Sequence, residues 1–552
     1  MSPFLYKIAK TFYSEYGPDL YKHTFVFPNR RAAIFFQKYL AGIADKPLFS
    51  PATITIQELF KYISRYREAD RIEMLVILYN QFIKISGSAE SFDEFLYWGE
   101  MLLNDFDDVD KYLVDARQLF KNVHDFKSLD DDMTHLDKNQ IEAIRRFWKN
   151  FMPVEGSKTK EKFQETWQIL SELYDSFRTE LKSKGIAYEG MIFRDVGERV
   201  KSIEFPELET GSFIFVGFNV LTPSEVKLME HLKNIGIADF YWDYDSPLVH
   251  DENNRASFKV RENLLRFPSK LNLEEFEDKT DNNSKTYVEV IGVPSGVGQA
   301  KHVSQILTDL INTKSINNPA EALNTAIVLP DENLLLPVLY SIPEEIENIN
   351  VTMGYSLSHS SIASLIENIS LLQQNLHSYK KEPAFYHRYV KAILNHPLVT
   401  LSASKEAQDL KDYIILSNRI VITVSEIPHE TLLRMIFTPV SDWKDITEYM
   451  HTILKYIYGT LTGEKIAIKG AKAENIDEYS PDTEEDRLMN GNTRSIDLEK
   501  EFIVQCYKTI TRLQDKLKDI SNISVNTYFR LLKNMTHGIT VSFSGEPISG
   551  LQ

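Results

Sequence analysis

Thr24-Phe25-Val26-Phe27-Pro28-Asn29-Arg30-Arg31 is the stretch that decides the fold. Thr24 to Pro28 reads as a short buried strand. Asn29-Arg30-Arg31 then opens a helix through about Ala41, with Ala33, Phe36 and Leu40 at helical steps on one face. The same order returns at Ser212–Gly217, an apolar strand. It is followed by Thr222-Pro223-Ser224-Glu225, where Thr222 can cap, Pro223 suits the first turn and Glu225 completes a capping box. Ala238–Asp243 is the next strand. Strand–helix–strand steps of this length imply a parallel sheet with crossover helices.

From about Ile56 to Gly185 the pattern is helix after helix. Between Ser157 and Lys184, Phe163, Trp167, Leu170, Tyr174, Phe177 and Leu181 recur at steps of three or four, and Gly185 supplies the stop. This region is expected to be an all-helical insertion. Ser246 to Lys285 is polar and reads as a linker, with room for one helix near Phe258 to Leu265. A second α/β unit is expected after it. Its strands are Tyr287–Val293, Thr325–Leu329 and Asn350–Gly354, and its helix runs from Gln299 to Thr313. Ser360 to about Leu532 reads as mostly helical, broken by an acidic, polar stretch from Gly470 to Asp497 that is expected to be a mobile loop. Gly538–Phe543 returns to strand. Ser542 to Gln552 reads as a unit left unfinished, so the chain is expected to be part of a longer protein.

The bulk numbers narrow the class. A length of 552 residues allows several domains, and 43% hydrophobic with 26% charged residues is ordinary for a globular protein. The net charge of -17 argues against coating DNA broadly, so any nucleic-acid contact must come from local basic patches. One cysteine, Cys506, excludes an internal disulfide and a cysteine-rich metal site built from this chain alone; it suits a reducing compartment. No apolar run spans a membrane, and the N-terminus lacks a signal-peptide core. The expectation is a cytoplasmic protein with no membrane partner.

Phe27–Ala32, Phe215–Phe218, Phe240–Asp243, Gly298–Lys301, Asn350–Gly354 and Gly545–Gln552 stand in a recognisable order. Together they resemble the AddB-type subunits of AddAB helicase–nucleases, over their helicase-like N-terminal portion. The resemblance implies an α/β chain with two RecA-like parallel-sheet domains of superfamily-1 helicase type, each carrying a large helical insertion. The first domain would be 1–55 with 205–245, and its insertion 56–204. A linker would follow over 246–285. The second domain would be 286–359 with 537–552, and its insertion 360–536 with a mobile loop at 470–497. The family processes double-strand DNA ends for repair and recombination beside an AddA-type motor subunit. Its full-length members continue into a nuclease domain and act as exodeoxyribonucleases.

The residues themselves offer no motor or nuclease chemistry. The phosphate-cradling pattern G-x4-G-K-[ST] is absent. Gly156-Ser157-Lys158-Thr159 lacks the glycine before lysine, and Lys301 is followed by neither Ser nor Thr. Pro-Asp at Pro18-Asp19, Pro330-Asp331 and Pro481-Asp482 is not followed by a nearby [DE]-x-Lys, so no metal-dependent nuclease site is assigned. No cofactor is expected. What remains is DNA contact. Asn29, Arg30 and Arg31 start a helix after a strand, where free backbone N–H groups and arginines converge on phosphate; a solvated helix start is the alternative. Gln299 and Lys301 occupy an analogous turn, and Thr352 follows an expected strand. The resulting expectation is an inactivated helicase-like scaffold that guides or scans single-stranded DNA and docks an AddA-type motor. The alternatives are a protein–protein scaffold without DNA binding and a degenerate active ATPase.

Overall fold

Alternation along the first strand builds the first sheet. Strands β1 (His23–Phe27), β2 (Ala52–Thr55), β5 (Ser212–Val216) and β6 (Ala238–Tyr241) form a four-stranded parallel sheet in the order β2-β1-β5-β6. Val26, Phe215 and Phe240 are in register on one face, with Phe215 and Phe240 stacked at 5.3 Å. Phe25, Phe27, Ile214, Val216 and Tyr241 point to the other. That face is covered by helices α1 (Phe4–Tyr16) and α2 (Arg30–Ile43), through Ile8, Phe12, Ala33, Phe36 and Leu40. Each large apolar side chain buried here contributes about 1.5–3 kcal/mol. The protein is thus α/β. The computed structural model describes residues 3–87, 89–120, 169–202, 212–243, 253–273, 288–319, 322, 324–351, 355–429, 431–463, 491–518, 523–541 and 551. Two compact units divide the chain, residues 1–90 with 95–292 and residues 91–94 with 293–552.

Between β2 and β5 lies the expected helical region. It includes α3 (Ile56–Ile63), α4 (Arg71–Ser86), α5 (Phe92–Lys111), α6 (Leu170–Ser183) and α7 (Glu189–Arg199), with a short parallel pair of β3 (Arg67–Glu68) and β4 (Ile186–Ala187). The first part of the helix expected from Ser157 lies outside the described residues. A single carboxylate aligns three of these helices. Asp110 on α5 is fully buried and accepts from the hydroxyls of Tyr174 on α6 and Tyr188 beside α7. Arg194 Nε on α7 stands 2.5 Å from it and Arg178 Nε on α6 3.5 Å. Burial and the Asp110 charge push both tyrosine pKa values upward. Removing one member of such a buried set costs about 3–5 kcal/mol, because its partners are left uncompensated.

After β5, helix α8 (Pro223–Asn234) carries the expected capping box, with Thr222 Oγ1 accepting from Glu225 N at 3.3 Å and Glu225 Oε2 accepting from Thr222 N at 2.6 Å. Residues 253–273, read above as linker, instead pack on the first sheet. Helix α9 (Phe258–Arg266) leads into a strap over β6. Trp242 Nε1 donates to Phe267 O (2.9 Å), Ser269 Oγ to Phe240 O (2.6 Å) and Lys270 N to buried Asp239 (2.9 Å).

The second unit differs from expectation at its strands. Val288–Val293 and Thr325–Leu329 are not strands, and Val288, Val290 and Val328 are 76%, 91% and 82% exposed. Local β-preference extends the backbone, but a ladder also needs a neighbour at hydrogen-bonding distance, and these segments have none among the described residues. Ile349 bridges Leu551, and Thr540–Val541 (β11) pairs antiparallel with Tyr355–Ser356 (β7). Helix α10 (Gly296–Asn312) forms as expected and buries Ala300 and Leu307, followed by the short helix α11 (Leu335–Leu339).

The second helical region is a bundle with a small sheet inside it. Its helices are α12 (Ser361–Gln374), α13 (His387–Leu394), α14 (Pro397–Ser402), α15 (Ser404–Leu416), α16 (Leu432–Ile436), α17 (Trp443–Thr462), α18 (Gly491–Leu517) and α19 (Val525–His537). Ile446, Met450, Ile453 and Ile457 recur at steps of three and four along α17, facing α18, where Phe502, Cys506, Ile510 and Leu513 do the same. Cys506 is a core residue, its thiol pushed up by burial. Glu499 on α18 caps α12, accepting from Ser361 N at 2.8 Å. The region expected to be mostly helical also holds an antiparallel sheet of β8 (His377–Tyr379), β9 (Glu382–Tyr386) and β10 (Val421–Thr423). The expected loop over Gly470–Asp497 is helical from Gly491 onward; its earlier part lies outside the described residues.

Candidate nucleic-acid interface

Topology locates the site before any side chain does. The connection after β1 runs to β2 on one side, and the connection after β5 runs to β6 on the other. The crevice between the carboxyl ends of β1 and β5 is therefore a topological switch point, where open parallel sheets bind ligands. Its two lips are Phe27-Pro28-Asn29 and Val216-Gly217-Phe218. Gly217 adopts φ +75°, so the chain turns sharply there, with Phe4 of α1 the nearest side chain.

Asn29, Arg30 and Arg31 sit together on the first lip. Asn29 caps α2, its Oδ1 accepting from Ala32 N at 3.0 Å. Its Oδ1 is thereby committed to the helix, and its amide N–H groups are left to donate to a ligand. The Arg30 side chain is 75% exposed and donates to Glu58 Oε1 from Nε (3.3 Å) and Nη2 (3.0 Å). Arg31 lies over the Phe35 ring at 5.5 Å. Glu58 belongs to a second strand-to-helix junction. It closes a capping box at Thr55, after β2, and the Thr55 backbone N–H, with Arg30 beside it, holds its carboxyl below the usual range. Sequence reading passed over Glu58, although Thr55-Ile56-Gln57-Glu58 carries a capping-box signal.

The edge is therefore less positive than two arginines imply. An exposed ion pair such as Arg30–Glu58 is worth about 0–1 kcal/mol. A phosphate meeting Arg30, Arg31 and the first-turn N–H groups can displace it.

Gln299 and Lys301 lie in the second unit, on the first turns of α10. Ser295 caps that helix, accepting from Gly298 N at 3.0 Å, and Gln299 Nε2 donates to Val293 O at 3.5 Å. Lys301 lines an open groove of about 590 Å³ with Val297, Leu336, Pro337 and Tyr340. The groove is chiefly apolar, which favours a protein segment over a phosphate. Thr352 lies outside the described residues. Asp331 caps a turn, accepting from Asn333 N at 3.1 Å. Tyr241 and Trp242 are buried in the core. Among the described residues, no helix is long and apolar enough to cross a membrane and no group of three or more His, Cys, Asp or Glu is placed to hold a metal ion.

No family model matches this chain, and no curated protein matches it.

Proposed function

We propose that this chain is a helicase-like scaffold of AddB type, built on RecA-like lobes, that holds single-stranded DNA at the carboxyl edge of its first sheet and docks an AddA-type motor. The observation that supports this reading most directly is the exposed Arg30 and the N-terminus of α2 at the lip of the switch point. The missing phosphate loop fits a scaffold that lends shape rather than hydrolysis. Fluorescence anisotropy with labelled single-stranded DNA tests it. Binding should weaken steeply with salt, and Arg30→Ala with Arg31→Ala should lower the salt slope by about 0.7 per lost phosphate contact. Unchanged affinity and slope would reject this DNA site. Glu58→Gln should do the reverse and tighten binding, because it releases Arg30.

A second reading is a protein–protein scaffold. It is favoured by the apolar groove of α10 and α11, where Tyr340 is 88% exposed. Capture of an AddA-type subunit that Tyr340→Glu abolishes, by a chain that shows no DNA affinity, would favour it over the first.

A further inference from the structure

A second set of cations available to a ligand lies on the β8–β9 hairpin and the helix it feeds, a feature absent from the sequence expectations. Residues 377–391 carry four cations, Lys380, Lys381, Arg388 and Lys391, against one carboxylate, Glu382, giving a local +3 in a chain at -17. Among the described residues none of the four meets a carboxylate, whereas Arg30 is paired with Glu58 and Arg419 with Glu426 at 2.7 Å. Glu382 accepts from Ser425 Oγ at 3.0 Å instead.

The register separates two faces. Phe385 and Ile422 share the inner face and are fully buried. His377, Tyr379, Glu382, Ala384 and Tyr386 share the other face, where Ala384 is fully buried and the rest are exposed. Tyr379 and Tyr386 are 40% and 38% exposed there. Their positions are separated by about 13 Å along the strands, at ~3.3 Å per residue. Lys380 Nζ stands 5.3 Å from the Tyr379 ring centroid, and Tyr389 packs edge-on to Tyr386 at 6.2 Å. The two-residue turn is Lys380-Lys381, with φ +51° and +69°. Both values belong to the left-handed region, where such turns favour Asn-Gly. The turn places two lysines at the hairpin tip, next to exposed Tyr379.

We propose that the β8–β9 hairpin and α13 form a binding surface for single-stranded nucleic acid, with Tyr379 and Tyr386 stacking on bases and Lys380, Lys381, Arg388 and Lys391 meeting phosphates. Exposed aromatic rings interleaved with cations are the arrangement that holds single strands without reading sequence. The surface goes beyond the function proposed above and does not require it, because it lies wholly in the second unit.

The test is anisotropy of labelled oligothymidylate with the full chain and with Lys380→Asn/Lys381→Gly. That variant relieves the turn strain while removing both charges. Its melting temperature should rise, its affinity should fall at least ten-fold, and its salt slope should shrink by about 1.4. A turn that served only the fold would gain stability without losing affinity. Tyr379→Ala with Tyr386→Ala should weaken binding ten-fold or more and leave the salt slope intact. Affinity and slope equal to the unmodified chain in the lysine variant would overturn the proposal. So would polyglutamate displacing the oligonucleotide at equal charge concentration, which would mark a site for acidic polypeptides. Arg30→Ala/Arg31→Ala tests the other site independently, since its losses leave the hairpin's share of binding in place.

Discussion

Two junctions in this chain are written in nearly the same local grammar, Phe27-Pro28-Asn29 before α2 and Val293-Pro294-Ser295 before α10. Each follows a β-prone stretch, and each has a cap whose side chain accepts from the backbone three residues on, Asn29 from Ala32 and Ser295 from Gly298, both at 3.0 Å. Yet Phe25, Val26 and Phe27 are fully buried between two parallel neighbours, while Val288 and Val290 stand in solvent. Caps act within one helical turn and are satisfied at both places. A sheet is a collective structure, and among the described residues only the first junction has strands on both sides.

The largest expected effect bears on that contrast. Phe25→Ala should cost about 3–5 kcal/mol, as for a large aromatic removed from a packed core, whereas Val290→Ala should stay within about 0.5 kcal/mol. Urea unfolding midpoints measure both. Comparable losses would mean that Val288–Val293 is packed in a sheet in solution. The caps should cost about 1 kcal/mol each in Asn29→Ala and Ser295→Ala. Unequal costs would show that tertiary surroundings reach into the first turn.

The smallest effect is a pH dependence confined to the first junction. His23 Nδ1 lies 2.7 Å from Ser212 Oγ, between β1 and β5. Burial lowers its pKa, with Asp19 opposing and Lys22 adding to the shift. The folded state therefore takes up a proton less readily than the unfolded one. The stability gained by keeping His23 neutral is full above about pH 6.5, the ordinary histidine value, and declines as pH falls below it. Melting temperatures between pH 7.5 and 5.5 should fall less steeply in His23→Gln; equal slopes would remove His23 as the cause.

Three strands of the first sheet were legible because β1, β5 and β6 are buried, largely apolar runs, and β1 and β5 lead into helix-start signals, as at Thr222–Glu225; β2 was not, since Ala52–Thr55 is short and buried only at Thr55. The helical stripe of α6 was legible from steps of three and four. The β8–β9 hairpin was not, since Lys380-Lys381 carries none of the usual turn residues and β8 is exposed along its length. The α2 edge was found from Asn29-Arg30-Arg31, but two facts about it are tertiary. The cap occupies Asn29, and Glu58 reaches Arg30 from a helix that begins only after the next strand. The unpaired state of Val288–Val293 was equally hidden, because β-propensity in one segment says nothing of what stands beside it.

The strap from Phe267 to Lys270 has a further consequence. An open parallel sheet ordinarily offers two rims to any passing extended chain. Here Ser269 occupies the Phe240 carbonyl, and Asp239 anchors the strap from within the sheet. Recruitment of a foreign strand is thus blocked at the β6 rim, and a sheet sealed on that flank has a direction in which it can still be extended, past β2. Among the described residues no strand lies beyond Ala52–Thr55, so that short rim is where an added strand would lengthen this sheet.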